Sequence, residues 1–315
     1  MKSHRPHPAA ILIVPLVVAV VLTLFAWPNA RLEPRDVPVG VAGVPAPHGE
    51  GFEVHRYSGE AEARAAIEDR EVYGAFVATP EGPKALVASA ASPAVAQLLT
   101  HAATEGGAEV EDVVAASPRG AALASSVLPL VIAGILTGAA GFGLTRSGVG
   151  RAGLVVAGSV LTGLAATAIV QGWLDVVEGD WLANAGTLSL TVLAIGAAVA
   201  GLGALFGKRG AVVGALTMIF IGNPFSGVGA APELLPEPAG GLGQLLPPGA
   251  GGNLLRSTGF FDGAGAGDHV VVLAIWALAG LAAVLVPALR RLAQGHRNPL
   301  VHGSEHEALG REGAV

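Results

Sequence analysis

The sequence predicts a membrane all-α bundle of six transmembrane helices, with a small extracytoplasmic α/β domain inserted between helices 1 and 2. Three observations predict it. The 315 residues are 52% hydrophobic and 13% charged, with a mean hydropathy of +0.60, whereas soluble domains carry about 25% charged residues. Six apolar stretches recur along the chain, most of them near the roughly 20 residues that cross a bilayer. Basic residues gather in short loops and acidic ones in long loops, and cytoplasmic loops are the ones enriched in Lys and Arg.

The elements follow in order. Residues 1–8, "MKSHRPHP", read as a basic cytoplasmic N-terminus. Residues 9–27, "AAILIVPLVVAVVLTLFAW", form the first span. That run is longer than the usual core of a signal peptide and no clean A-x-A site follows it, so it reads as uncleaved. Residues 28–120 form the extracytoplasmic domain. Within it "VPVGVAG", "FEVHRYS", "VYGAFVAT" and "KALVASA" read as strands, being rich in β-branched residues with period-two alternation. "EAEARAAIEDRE" reads as a helix carrying Ala63, Ala66 and Ile67 on one face. "SPAVAQLLTHAATE" reads as another, with Ser92 as N-cap and Pro93 at the first helical position. The domain is acidic and has no basic patch, which argues against nucleic acid as a partner.

Residues 121–289 hold five further spans, at about Ala121–Leu144, Ala152–Leu174, Thr187–Phe206, Ala211–Gly222 and His269–Leu289. The fourth of these five has only twelve apolar residues before Asn223, so charge must decide whether it crosses. If it crosses, Arg146 and Arg151, Lys208 and Arg209, and Arg290 and Arg291 all fall on the side of the N-terminus. If it turns back, Arg290 and Arg291 fall on the opposite side. The sequence therefore predicts six crossings with both termini cytoplasmic. All but Glu305, Glu307 and Glu312 of the 24 acidic residues then lie outside. Those three belong to a polar, aperiodic tail, 290–315, predicted to be disordered.

Residues 223–268 form an outside segment that is Gly- and Pro-rich yet oily. Irregular backbone cannot face lipid at depth unless protein shields its polar groups. Leu234, Leu235, Leu245 and Leu246 are too apolar for open water. Short helices dipping into the outer leaflet, punctuated by Pro236, Pro247 and Pro248, reconcile the two demands.

Chemistry is sparse. The chain has no cysteine, which removes disulfides and thiolate chemistry. "GALFGKRG" is one residue short of a Walker A spacing and has Arg209 where Ser or Thr belongs. No Asp, Glu, Lys or Arg lies inside a predicted span, which argues against a proton-driven carrier. His302 and His306 stand four apart in the tail without forming a convincing metal site, and Ser226 in "PFSGVG" does not fit a nucleophile elbow. No catalytic, cofactor or metal site is predicted, so the chain does not read as an enzyme. Gln171 reads as an interfacial cap beside Trp173. Gly134 and Gly138, four apart in "GILTG", read as a helix-packing face.

One span, an α/β domain, then five spans resembles the ABC-2-type exporter permease superfamily, including its phage-infection-protein-like branch. The residues that carry the resemblance are "VPVGVAG" soon after the first span, "EAEARAAIEDREVYGAFVATPEG", and the outside segment. The latter offers Asn223-Pro224, "PELLP", "QLLPPGAGGNLLR" as a helix start carrying Arg256, and "GFF" before the last span. The resemblance implies a permease half; scarce lysine with abundant Ala, Gly and Val points to a bacterial plasma membrane, and the charge-free apolar spans suit export of a hydrophobic or amphipathic cargo. The resemblance also implies a homo- or heterodimer in the lipid bilayer, driven by a separate cytoplasmic ABC ATPase. An outer re-entrant gate would use Asn223, Pro224, Phe225, Pro236, Pro247, Pro248 and Arg256. A cytoplasmic coupling face would use Arg146, Arg151, Lys208 and Arg209. A non-transport reading, a membrane anchor or scaffold that presents the α/β domain, stands beside it.

Overall fold

The computed structural model of the protein describes residues 8–45, 51–120 and 122–295. The predicted N-terminus up to His7, and the tail beyond Gly295 with His302 and His306, lie outside the described residues. The described chain is mostly helical, with five helices long and apolar enough to cross a membrane and one five-stranded sheet.

The long helices match the apolar runs, and local caps set their ends. α1 spans Pro8–Ala30 and passes through Pro28, three residues beyond the predicted end at Trp27. Between α1 and α4 come β1 (Val37–Ala42), β2 (Phe52–Arg56), α2 (Glu60–Glu68), β3 (Gly74–Thr79), β4 (Gly82–Val87), α3 (Pro93–Glu105) and β5 (Glu109–Asp112). α4 covers Ala122–Leu144. α5 covers Gly148–Val170 and starts four residues before the predicted Ala152, because the Ser147 hydroxyl accepts the Gly150 N–H at 3.0 Å. It ends at Val170, four residues short of the expected Leu174, with Gln171 as its C-cap.

α6 (Trp181–Thr217) departs most from the sequence reading. The predicted spans Thr187–Phe206 and Ala211–Gly222 are one apolar run of 42 residues, Trp181–Gly222, that ends in a π-helical turn at Met218–Gly222. The run is not straight. Gly207 has φ 67° and ψ −155°, a left-handed conformation that glycine adopts without the Cβ penalty. A β-carbon on Gly214 would stand 3.3 Å from Cα of Val199, and one on Gly203 would stand 3.2 Å from Cβ of Ala211. A straight helix separates residues 199 and 214 by about 22 Å, so the chain doubles back on itself at Gly207. Where the sequence suggested six separate helices, five span-length helices form and one of them is folded. This folded run is also the centre of the bundle: 67% of its most apolar window is buried, against 6% for α1.

After a turn through Asn223–Ala231 and a 3₁₀ turn at Pro232–Leu234 come α7 (Ala239–Gln244) and α8 (Pro247–Phe260). α9 runs from Gly267 to Gly295. Residues 290–295 are thus helical and not the start of a disordered tail. α8 is rich in glycine, a poor helix former, and it is buried at all but Thr258 and Phe260. Close approach explains the composition. β-carbons at Gly249, Gly251 and Gly252 would strike the Gly243 carbonyl at 2.2 Å, Thr191 at 2.4 Å and Val228 at 2.2 Å.

The sheet order is β2-β1-β3-β4-β5, parallel except for the β3–β4 hairpin. The Ser92 hydroxyl accepts the Val95 N–H at 3.2 Å with Pro93 at the first helical position of α3, as the sequence pattern indicates. One face of the sheet packs Ile67, Ala63 and Ala66 of α2 against Leu86 and Val77. The other packs Val95 and Leu99 of α3 against Val37 and Val39, and Ala230, Ala231 and Leu234 complete that core. β5, "EVED", was not expected as a strand because three of its four residues are acidic. It pairs with β4 at the sheet edge, where Arg64 Nη2 meets Glu111 at 2.7 Å and Lys84 Nζ meets it at 3.4 Å.

Candidate functional site

The two ends of the bundle differ in charge. At one end are the α4–α5 turn and the Gly207 reversal. They adjoin, since a β-carbon on Gly203 would meet the Phe142 ring at 2.9 Å. Arg146, Lys208 and Arg209 are exposed there. Arg151 donates from Nε to the Thr145 carbonyl at 3.0 Å and lies 5.1 Å from the centre of the Phe142 ring. At the other end are the sheet, α7, α8 and the acidic connection between α5 and α6, where Asp175 pairs with Arg119 at 2.8 Å. The Gln171 amide donates to the Gly179 carbonyl at 2.9 Å and accepts from Asn184 Nδ2 at 3.0 Å. Thr258 of α8 donates to Asn184 Oδ1 at 2.7 Å. A partly buried polar chain therefore ties the end of α5 to α6 and α8 at the sheet end.

The predicted gate residues lie on the connection after the π-turn and on α8. Asn223, Pro224, Phe225 and Pro236 lie toward α1. The Asn223 N–H closes the π-turn on the Met218 carbonyl at 3.0 Å. Phe225 packs edge-on to Trp27 at 6.4 Å and clusters with Leu235 and Ala239. Pro247 and Pro248 open α8, and Pro248 abuts Gly222. Arg256 reaches the same connection further along, at Val228. It lies in the third turn of α8, not at a helix start, and is 3% exposed. Its Nη1 donates to Asn253 Oδ1 at 3.2 Å and its Nη2 to the Val228 carbonyl at 2.9 Å. Leu234 and Leu235, expected to dip into lipid, are buried instead, one against the sheet and one beside α1. Leu245 is exposed, as a lipid-facing position requires.

The sheet unit grips this segment directly. Arg70, just past the C-terminus of α2, has φ 62°, a position where glycine is usual. Its Nη1 donates to the Asn253 carbonyl at 3.0 Å and to the Ser257 hydroxyl. Its guanidinium also sits 5.3 Å from the centre of the Phe261 ring. Tyr73 donates to Glu233 Oε2 at 2.8 Å. The Glu33 and Arg35 N–H groups donate to the Leu234 and Glu233 carbonyls at 3.1 and 3.0 Å, and the Ser92 hydroxyl donates to the Ala230 carbonyl. Burial pulls the Arg70 guanidinium below its ordinary value, while Tyr73 and Glu233 oppose that pull. Burial, and then Glu233, pushes the Tyr73 hydroxyl well above its ordinary value.

Between the two parts lies a cavity of about 220 Å³, lined by Arg70, Tyr73, Glu233, Gln244, Asn253 and His269 among others. Of the predicted site residues only Arg256 comes near it, behind Asn253. Sequence reading did not single out Arg70, Tyr73, Glu233 or Asn253, because the two halves of the site stand 183 positions apart. Comparison of the chain with protein-family models, curated proteins and solved structures finds no match. Gly134 and Gly138 face α6 of the same chain: β-carbons there would meet Ile195 at 2.7 Å and the Gly196 carbonyl at 2.4 Å.

Proposed function

We propose that the chain is the membrane-spanning subunit of an ABC-2-type exporter in a bacterial plasma membrane. In this reading α6 crosses twice about Gly207, giving six crossings with both termini cytoplasmic and the α/β unit outside. The observation that carries it is the polarity of the bundle: Arg146, Arg151, Lys208 and Arg209 share one end, and the sheet with α7 and α8 closes the other. The basic end then faces the cytoplasm and offers the docking face for a separate ATPase. The segment 223–268 is the outer gate, and the apolar walls suit a hydrophobic or amphipathic cargo carried through a homo- or heterodimer.

The anchor or scaffold reading has an observation of its own. Between α4, α6 and α8 the crevice lined by Leu123, Leu188 and Leu255 has only about 10 Å³ of free space, and close packing of α8 there favours an anchor. Purification of the full chain from its native membrane, with assay of co-purifying ATPase activity and of efflux after deletion, separates the two. An exporter subunit brings an ATPase with it and its loss raises cargo retention. A chain that purifies without an ATPase, and whose deletion leaves efflux unchanged, is an anchor.

A further inference from the structure

We propose that the cavity between the sheet unit and α8 binds a single acidic group, a carboxylate or a phosphate, with Arg70 as its principal ligand and Arg256 as the charge behind it. Two guanidiniums converge on one neutral side chain, Asn253. Arg256 Nη1 reaches its Oδ1 at 3.2 Å, and Arg70 Nη2 reaches the same atom only at the limit of a hydrogen bond, 3.5 Å. Arg256 is 3% exposed, and among the described residues its Nε has no partner. Among the described residues neither guanidinium has a carboxylate within 4.0 Å. The carboxylate that lines the cavity, Glu233, is engaged by the Tyr73 hydroxyl.

Among the described residues the balance is therefore one buried and one half-buried cation against one lining carboxylate. Buried charge is held at large cost unless it is paired, and a guanidinium fork is suited to carboxylate and phosphate oxygens. The backbone gives a second, independent indication. Arg70 keeps a left-handed φ of 62° at a helix-terminal position where glycine is free of strain, and strain retained at one residue points to a use for its side chain. The exposed Gly265 forms part of the wall, so the cavity reaches the surface. Its volume, about 220 Å³, admits an acidic headgroup and excludes a whole amphiphile. The site stands whether the chain exports or only anchors, and its test needs no ATPase.

The shared chemistry has two sources, a soluble anion or an anionic lipid. The full chain is reconstituted in phosphatidylcholine nanodiscs, and its thermal midpoint is followed against inorganic phosphate and against acetate at constant ionic strength. A parallel set of discs contains phosphatidylglycerol. A soluble anion gives a saturable rise with phosphate or acetate, and a lipid headgroup gives the rise only in phosphatidylglycerol discs. In either case Arg70→Gln shifts the half-saturating amount at least tenfold and Arg70→Lys shifts it less. Arg119→Gln, an exposed arginine at the same end, leaves it unchanged. Asn253→Asp places a carboxylate between the guanidiniums, so it raises the midpoint without added anion and abolishes the response. That arm holds even where a neutral variant fails to fold. No saturable rise with any of the three probes, or a response in Asn253→Asp equal to that of the unaltered chain, overturns the proposal.

Discussion

Gly138 on α4 faces Gly196 on α6 so closely that a β-carbon at position 138 would stand 2.4 Å from the Gly196 carbonyl oxygen. The obstacle is backbone, which cannot rotate aside as a side chain can. Gly143, five residues on in the same helix, has open space where its β-carbon would be. Gly138→Ala is expected to lower stability by about 1–3 kcal/mol, the usual cost of overpacking, while Gly143→Ala is neutral or slightly stabilising through helix propensity. Thermal unfolding of the two variants in one detergent checks this. Equal midpoints would remove the packing argument for α4 and α6.

Arg70 combines a strained backbone with a useful side chain. Arg70→Ala loses the bonds to Asn253 and Ser257 and keeps the strain, so a loss of about 2–3 kcal/mol is expected. Arg70→Gly loses the same bonds but relieves the left-handed backbone, and it retains about 1 kcal/mol relative to Arg70→Ala. The ordering of the two midpoints is the measurement. Arg70→Gly at or below Arg70→Ala would show that the backbone contributes nothing.

The absence of native cysteine makes single-cysteine mapping clean. With six crossings, Arg146→Cys and Lys208→Cys in spheroplasts resist an impermeant maleimide and Glu81→Cys reacts. Labelling of Lys208→Cys from outside would mean that the apolar run does not reverse across the membrane at Gly207.

The acidic edge strand is held by charge. Arg64, then Lys84, lowers the Glu111 pKa below its ordinary 4.5, and Glu111, with Glu60, raises that of Lys84 above 10.5. For Glu111 the folded value lies below the unfolded one, so its contribution is complete above pH 4.5 and fades as pH falls through the folded value. For Lys84 the contribution is complete below pH 10.5 and fades as pH rises through its folded value. The groups lie at the protein surface, where solvent screens such pairs. Glu111→Gln should therefore lower stability at pH 7 and lose less than the unaltered chain between pH 5 and pH 3, by hydrogen exchange in β5. A parallel decline in both would assign the acid sensitivity elsewhere.

What the sequence made legible was local. The apolar runs of α1, α4, α5 and α9 are long enough to be read from composition, and the Ser92–Pro93 cap and the first four strands follow from short-range pattern. β5 was illegible because the strand it pairs with and the partners of its Glu111, Arg64 and Lys84, lie on other elements. α8 was hard to bound because its glycines are selected for close approach to Thr191 and Val228 and weigh against helix by propensity. The reversal at Gly207 was signalled only by the neighbouring Lys208 and Arg209. The site itself was illegible: nothing near Arg70 in the chain announces Asn253, and Leu234 looks lipid-facing until the sheet it covers is known.

The sharing of one core between the sheet and Ala230, Ala231 and Leu234 has a consequence in time. Ser92 and Ala230, which bond to each other, are separated by 138 residues of chain. A ribosome working at 5–20 residues per second takes roughly 7–28 s to make that stretch. For that interval Val37, Val39, Val95 and Leu99 have no cover from the later segment. The sheet unit, made before α4, α5 and α6, is thus covered on this face only after all three have been made, and that closure reports that synthesis has reached Leu234.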